Sequence, residues 1–333
     1  MSHASMQAKT AAAEVLTVND LVVDHPSQGG AVQAVAGVSL ELVAGETLGL
    51  VGESGCGKSS LARAIIGLTT PSGGQIQING KIIGTGNRVR KERAQQIQMV
   101  FQDPFGSLNP RSTVVQLVEE PLNVHALGSR SSRREQARAL LERVGLAPEL
   151  HDRLPHQLSG GQRQRVGIAR ALALQPDVLV CDEPVSALDV SVQAQVLNLL
   201  LDLQKEFGFA YLFISHDLDV IRYVSNRIAV MYLGVLVESG PAEQVWNNPQ
   251  HPYTRALVDM ASLDDNATRV VLNGELPSPM NPPSGCRFRT RCPFVEPRCA
   301  ESMPLLQVTL ERQYAACHRL GEWQQVLSGG QDA

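Results

Sequence analysis

The chain has 333 residues, 43% hydrophobic and 19% charged, enough for a full globular core and for one large domain plus an appendage. Its formal net charge of −4 argues against bulk electrostatic binding to nucleic acid or to an anionic membrane. No apolar run approaches the ~18 residues a spanning helix needs. Residues 1–13 lack the basic-then-apolar order of a secretory signal, so a cytoplasmic protein is expected, with any membrane role exercised through a partner.

In chain order, residues 1–13 read as a disordered leader. Segments 16–23 and 35–42 alternate apolar and polar residues as half-buried strands do, and 46–51 is a third strand running straight into Gly52. Residues 58–68 fit a helix with Leu61, Ile65 and Leu68 on one face and Gly67 near its end. After the turn Pro71-Ser72-Gly73-Gly74, segments 75–79 and 81–83 flank Asn79-Gly80, a dipeptide that favours a hairpin because both residues accept positive φ. Residues 97–101 form a further strand.

From 114 to about 174 the pattern is helical, with Ser132 as a cap for a helix that carries Ala137, Leu140, Leu141 and Val144 on one face. Residues 178–181 are a short apolar strand of the kind buried on both faces. Segment 192–203 is amphipathic, with Val196, Leu199 and Leu203 in step; 209–214 is another buried strand and 218–224 another helix. The apolar stretch 228–237, interrupted by Tyr232 and Gly234, fits a buried strand pair. This alternation implies an α/β domain with a mostly parallel sheet and a helical insertion near 112–170. Beyond about residue 262 the texture changes, and Pro277, Pro279, Pro282 and Pro283 mark a stiff connection to a small C-terminal module.

Gly52-Glu53-Ser54-Gly55-Cys56-Gly57-Lys58-Ser59, followed by Ser60, fits G-x-x-x-x-G-K-[ST] between a strand and a helix. In such a loop the backbone N–H groups converge on the β- and γ-phosphates, and the following helix adds its positive end. Lys58 then supplies a point charge and the Ser59 hydroxyl a Mg²⁺ ligand, so ATP and Mg²⁺ are the expected pair. Strand 178–181 delivers Asp182 and Glu183 to its end. Asp182 can hold Mg²⁺ through water, and Glu183 can orient and deprotonate an attacking water.

Leu158-Ser159-Gly160-Gly161-Gln162, followed by Arg163-Gln164-Arg165, resembles the signature motif of ABC-type ATPases. The resemblance covers about residues 14–330 and implies an α/β, P-loop NTPase nucleotide-binding domain. Its parts are a RecA-like core, an antiparallel β subdomain and a helical subdomain, here about 112–172 within a domain of 14–262. It also implies head-to-tail pairing, with Ser159, Gly160, Gly161 and Gln162 offered to the partner's γ-phosphate. Gln102 resembles the loop glutamine that touches Mg²⁺ and senses the membrane partner. Ser186-Ala187-Leu188-Asp189 resembles the loop that crosses the dimer interface, and His216 resembles the switch histidine at the γ-phosphate. Where this family usually stacks an aromatic ring on adenine, this chain has His25, whose imidazole either stacks with less area or is a plain loop residue. Arg163, Arg165 and Arg170 share one short helix without interleaved aromatics, so a solvated or interface face is expected rather than nucleic-acid contact.

Cys56 and Cys181 lie in the main domain, whereas Cys286, Cys292, Cys299 and Cys317 crowd into the last fifth of the chain. Their spacing matches neither the common zinc pairs nor ferredoxin runs, so on chemistry alone they either coordinate a metal centre or stay unligated. His251-Pro252-Tyr253-Thr254, the Pro-rich segment and Cys286-x₅-Cys292-Pro293 closely resemble the ATPase subunits of dipeptide and oligopeptide importers. That resemblance implies a [4Fe–4S] cluster on the four cysteines, in a Pro-rich linker and C-terminal module over 263–333. It further implies two transmembrane permease subunits, a second and related ABC ATPase subunit, and a separate extracytoplasmic peptide-binding protein. The chain itself would sit peripherally on the cytoplasmic face of the inner membrane. The alternative is a soluble ABC-type ATPase acting on nucleic acid or ribosomes. Such proteins usually carry two motor domains or a long coiled-coil insertion, and this chain has neither.

Overall fold

The structure, a computed structural model, describes residues 13–27, 30–84, 87–261, 270–272 and 274–329. Apart from Ala13, the expected leader lies outside the described residues, as do 262–269 and 273 around the start of the expected linker.

Strands β1 (Glu14–Ser27) and β2 (Gly30–Val43) pair antiparallel, and their alternation sends Leu16, Val18, Val35, Val38 and Leu42 inside. β3 (Thr47–Val51) is buried along its whole length and leads through the loop into helix Lys58–Ile66. That helix stops earlier than the apolar spacing implies. Gly67 turns left-handed at φ 84°, the Leu68 N–H reaches back to Arg63 O at 2.8 Å, and Leu68 stands 66% exposed instead of joining Leu61 and Ile65. β4 (Gly73–Ile78) and β5 (Lys81–Ile82) form the expected hairpin, with Asn79 at φ 49° and Gly80 at φ 73°.

After β6 (Ile97–Val100) come helices Val114–Val124, Arg130–Arg143 and Gly160–Leu172. The second begins before the cap read from the sequence. In the run of closely spaced serines the extended residue is Ser129, just after left-handed Gly128, and its Oγ accepts the Ser132 N–H at 3.3 Å. Ser132 is therefore a first-turn donor and not the cap. Ser129→Ala is expected to cost about 1 kcal/mol of stability, and Ser132→Ala less than about 0.5 kcal/mol; denaturant midpoints of the two variants would check the order. For two of the three arginines of helix Gly160–Leu172, the solvated half of the solvated-or-interface expectation does not hold. Arg165 donates to Val144 O and Arg170 to Ser107 O, each at 2.6 Å, so these two join the helix to its neighbours rather than form a solvated face. Burial lowers the Arg170 pKa from its usual value.

β7 (Val178–Asp182), β8 (Ala210–Ser215), β9 (Arg227–Tyr232) and β10 (Val235–Pro241) follow, with helices Val190–Phe207, Leu218–Val224 and Pro252–Ala261 between or after them. β11 (Gln307–Leu310) and β12 (Gln313–Ala315) are the last strands along the chain. One sheet runs β2-β1-β4-β5, and the main sheet runs β11-β12-β10-β9-β3-β8-β7-β6. The pairs β3–β8, β3–β9, β7–β8 and β6–β7 are parallel. Side-chain alternation divides the core. Val178 and Val180 of β7 pack with the β1–β2 layer, while Leu179 and Cys181 pack with the helical layer. Burial on both faces explains why this strand is an unbroken apolar run. At the far edge β12 pairs with β10 through Glu238↔Ala315 and Ser239↔Tyr314, so the C-terminal segment extends the main sheet. Buried Glu238 accepts N–H groups from Gln250, His251 and the Gln313 side chain at 2.7–2.8 Å, which fastens that edge.

Candidate functional site

Four parallel strands end on the same side of the sheet, and each is followed by candidate residues. β3 leads to Gly52, β6 to Gln102, β7 to Asp182–Glu183 and β8 to His216. Registers Val51↔Ser215, Asp182↔Ile214 and Val100↔Cys181 align these ends, so the topology itself gathers the groups.

The loop after β3 curls around Lys58. The Lys58 side chain is only 5% exposed, and its Nζ donates to Gly52 O at 2.6 Å and to Glu53 O at 2.9 Å. Gly57 sits at φ 110°, and a Cβ there would come within 2.1 Å of Ala34 O. Only glycine lets the loop pass β2 this closely. The Ser59 hydroxyl donates to Asp182 Oδ1 at 3.2 Å. Burial raises the Asp182 pKa, and the Ser59 hydrogen bond partly opposes that shift. A bound divalent cation would favour the charged carboxylate. Ser59 and Gln102 line the cavity beside the phosphate loop, and Asp182, itself buried, is held to Ser59; their oxygen donors are of the kind that Mg²⁺ takes.

Glu183 is the best-braced group. Its backbone is left-handed at φ 48°, unusual for a side chain of this size, and its N–H is tied to Ile214 O at 2.9 Å. Its carboxylate receives the Gln102 Nε2–H at 2.8 Å on one oxygen, while His216 Nδ1 lies 3.1 Å from the other. Three residues named separately from sequence thus form one cluster. They line a cavity of about 540 Å³ together with Ser54–Ser60 and His25. His25 Nε2 shares a 2.9 Å hydrogen bond with Ser60 Oγ.

Ser159, Gly160, Gly161 and Gln162 do not line this cavity. Ser159 caps helix Gly160–Leu172, accepting the Gln162 N–H at 3.3 Å, while Gln162 Oε1 accepts the Ser159 N–H at 2.9 Å. Ser159 is exposed.

Several contributors to the site carried no signal of their own. Pro279 lines the cavity from the far end of the chain. Tyr253 Oη accepts the Glu53 N–H at 2.9 Å, and Arg291 Nη1 pairs with Glu53 Oε1 at 2.8 Å. Only the family-like stretches around Tyr253 and Cys292 pointed to this part of the chain.

The four C-terminal cysteines come near one another in the fold, and none is in a disulfide. The Cys286 N–H donates to Cys299 O at 2.8 Å. Burial raises the Cys286 thiol, pushes Cys292 up to about 11 and Cys317 up to about 12, and neighbouring cysteines add to each shift. Among the described residues no group of three or more His, Cys, Asp or Glu is arranged to hold a metal ion. As placed, these thiols do not present a ligand set for the [4Fe–4S] cluster that the resemblance implies.

Among the described residues no helix is long and apolar enough to cross a membrane. The family model described as ABC transporter matches residues 35–186, and the one described as Oligopeptide/dipeptide transporter, C-terminal region, matches 237–299. The chain is 51% identical over 296 residues to the oligopeptide transport ATP-binding protein AppF of Bacillus subtilis, covering 87% of this chain and 90% of that protein. It is 53% identical over 282 residues to the oligopeptide transport ATP-binding protein OppF of Escherichia coli, covering 83% and 84%. Among solved structures, the dimeric ATP-binding cassette MJ0796 in a post-hydrolysis state with ADP and Pi matches at a TM-score of 0.63 and 30% identity, over 68% of this chain and 98% of that one. With its phosphate loop, its sheet order and these relatives in agreement, the chain belongs to the ABC transporter family, among the ATP-binding proteins of oligopeptide and dipeptide transport.

Proposed function

We propose that this chain hydrolyses ATP to energise import of dipeptides or oligopeptides through a membrane transporter, by nucleotide-dependent closure of a head-to-tail dimer. The observation that carries this reading is the Glu183 carboxylate, held between Gln102 and His216 in a cavity bounded by the phosphate loop. In the proposed mechanism the loop amides and Lys58 bind the β- and γ-phosphates, with the nucleoside directed toward His25. Ser59, Asp182 and Gln102 would hold Mg²⁺, which supplies charge neutralisation between the phosphates. Glu183 orients a water in line with the γ-phosphorus and takes its proton, and His216 steadies the γ-phosphate end. Catalysis is then mostly positioning and charge stabilisation.

Ser159 and the N–H groups behind it are proposed to serve the γ-phosphate of a second subunit. The exposure of Ser159, and the absence of Ser159–Gln162 from this chain's own cavity, support that assignment. The second subunit is read as a related ATPase forming a heterodimer, engaged with two permease subunits at the cytoplasmic face of the membrane and fed by a separate peptide-binding protein. We divide the chain into an ATPase domain over 14–262 and a linker plus cysteine module over 263–333. An ATPase acting on nucleic acid or ribosomes is not favoured, since the relatives at about half identity are peptide-transport proteins.

Isolation of the intact complex tests this reading. Permease subunits should co-purify, and ATP turnover in vesicles should rise when peptide and its binding protein are supplied. Co-purification with RNA and no permease would overturn it. Iron and sulfide analysis of the same anaerobic preparation decides the cluster, and an iron-free, active complex would remove it.

A further inference from the structure

Glu53 poses an electrostatic difficulty. It is the second residue of the phosphate loop, so the loop carries a carboxylate where a polyanionic triphosphate must bind. At the short distances within a phosphate loop, like charges behind a low-dielectric wall repel strongly. The structure answers this from the other end of the chain. Arg291 reaches Glu53 Oε1 at 2.8 Å, with its side chain 6% exposed against 28% for Glu53. The Arg291 guanidinium also lies 5.9 Å from the centre of the Tyr232 ring.

The direction of Glu53 follows from its surroundings. Glu53 does not line the cavity of about 540 Å³ that holds Ser54–Ser60. It lines a separate cavity of about 440 Å³, together with Arg291, Asp259 and Leu257. The Tyr253 hydroxyl fixes its backbone N–H at 2.9 Å. Tyr253, Tyr232 and Phe288 pack with ring centres 4.7–5.5 Å apart, so the platform beneath the pair joins the ATPase core to the C-terminal segment. Four residues before Arg291, Arg287 donates to Leu233 O, and the residue after Leu233, Gly234, donates its N–H to Cys56 O at 2.7 Å. The stretch between Cys286 and Cys292 thus braces the phosphate loop twice, directly through Arg291 and by way of Leu233–Gly234 through Arg287.

We infer that Arg291 is a positioning residue of the nucleotide site: it neutralises the Glu53 carboxylate and holds it outside the phosphate cavity, so that the loop can accept a triphosphate. This rests on the ATP-binding reading above. It makes the C-terminal cysteine stretch a working part of the phosphate site, because the arginine that balances the loop's charge is the neighbour of Cys292.

The experiment measures MgATP and inorganic tripolyphosphate binding to the full chain at low and high salt, for wild type, Arg291→Met, Arg291→Lys and Arg291→Met/Glu53→Gln. Arg291→Met should weaken both ligands by about tenfold at low salt, and less as screening grows. Arg291→Lys should stay within about threefold of wild type, and the double variant should regain most of the loss because the stranded carboxylate is gone. A purely structural brace predicts no rescue by Glu53→Gln and no salt dependence. Wild-type affinity in Arg291→Met, or a double variant as weak as the single, overturns the inference. Should the single variant not fold, the double variant, which buries no unpaired charge, decides alone: affinity near wild type supports the inference and a loss overturns it. If wild type itself binds neither ligand, it is the ATP-binding reading that fails.

Discussion

Glu183→Gln is expected to lower ATP turnover by about 10²–10⁴-fold, the usual contribution of a positioned general base, while leaving nucleotide bound. The amide keeps the shape of the carboxylate, can still accept the Gln102 N–H and can donate toward His216, so the cluster need not rearrange. What it loses is the ability to take a proton. The left-handed backbone at φ 48° is the same burden for Gln as for Glu, so the substitution adds no strain there. With hydrolysis blocked and binding intact, the proposed head-to-tail dimer should accumulate in its closed state. Single-turnover hydrolysis and light scattering with MgATP would read both effects. Turnover close to wild type would sink the base assignment.

Lys58→Ala should abolish useful nucleotide affinity, by roughly 10²-fold or more, since charge-assisted hydrogen bonds to phosphate are worth about 1.5–3 kcal/mol each. Lys58 also spans the loop internally through Gly52 O and Glu53 O, so its removal leaves two carbonyls without their cation. The affinity loss therefore combines a missing cation with a loosened loop. Calorimetric titration with MgATP measures the sum, and the thermal midpoint of the unliganded variant separates the two parts. A midpoint near wild type with affinity lost assigns the effect to the charge. Retained affinity would contradict the proposed role of the lysine.

The relation between the two ends of the chain also bears on the cysteine module. Burial raises the Cys292 and Cys317 thiols, and the same segment sets Arg287 and Arg291 against the phosphate loop and its neighbour Leu233. Whatever occupies those thiols, their scaffold is continuous with the ATPase core through β10 and β12.

Much of the site was legible because its parts are local. The phosphate loop, the Asp182–Glu183 pair and the Ser159 turn are short backbone patterns whose chemistry depends on adjacent residues. Strands β7 and β8 were legible as short unbroken apolar runs, because a strand buried on both faces has no polar side to alternate with, whereas period-two alternation marked β1 and β2. Boundaries were less legible. Leu68 has the right spacing for its helix, but Gly67 ends the helix first, and among the nearby serines only the one following a left-handed glycine becomes the cap.

By itself, then, the sequence determined the phosphate loop and the Asp182–Glu183 pair, because each is a local arrangement of donors and charges, and its resemblance to ABC-type ATPases supplied the domain around them. Only the tertiary structure decided that Gln102 and His216 meet on the one Glu183 carboxylate, since that depends on the lateral order and register of β6, β7 and β8. Only the tertiary structure, too, decided that Arg291 answers Glu53 across 238 residues. No periodicity or spacing encodes that pair; it exists because the last strands extend the main sheet and the aromatic platform at Tyr232, Tyr253 and Phe288 carries the arginine to the loop.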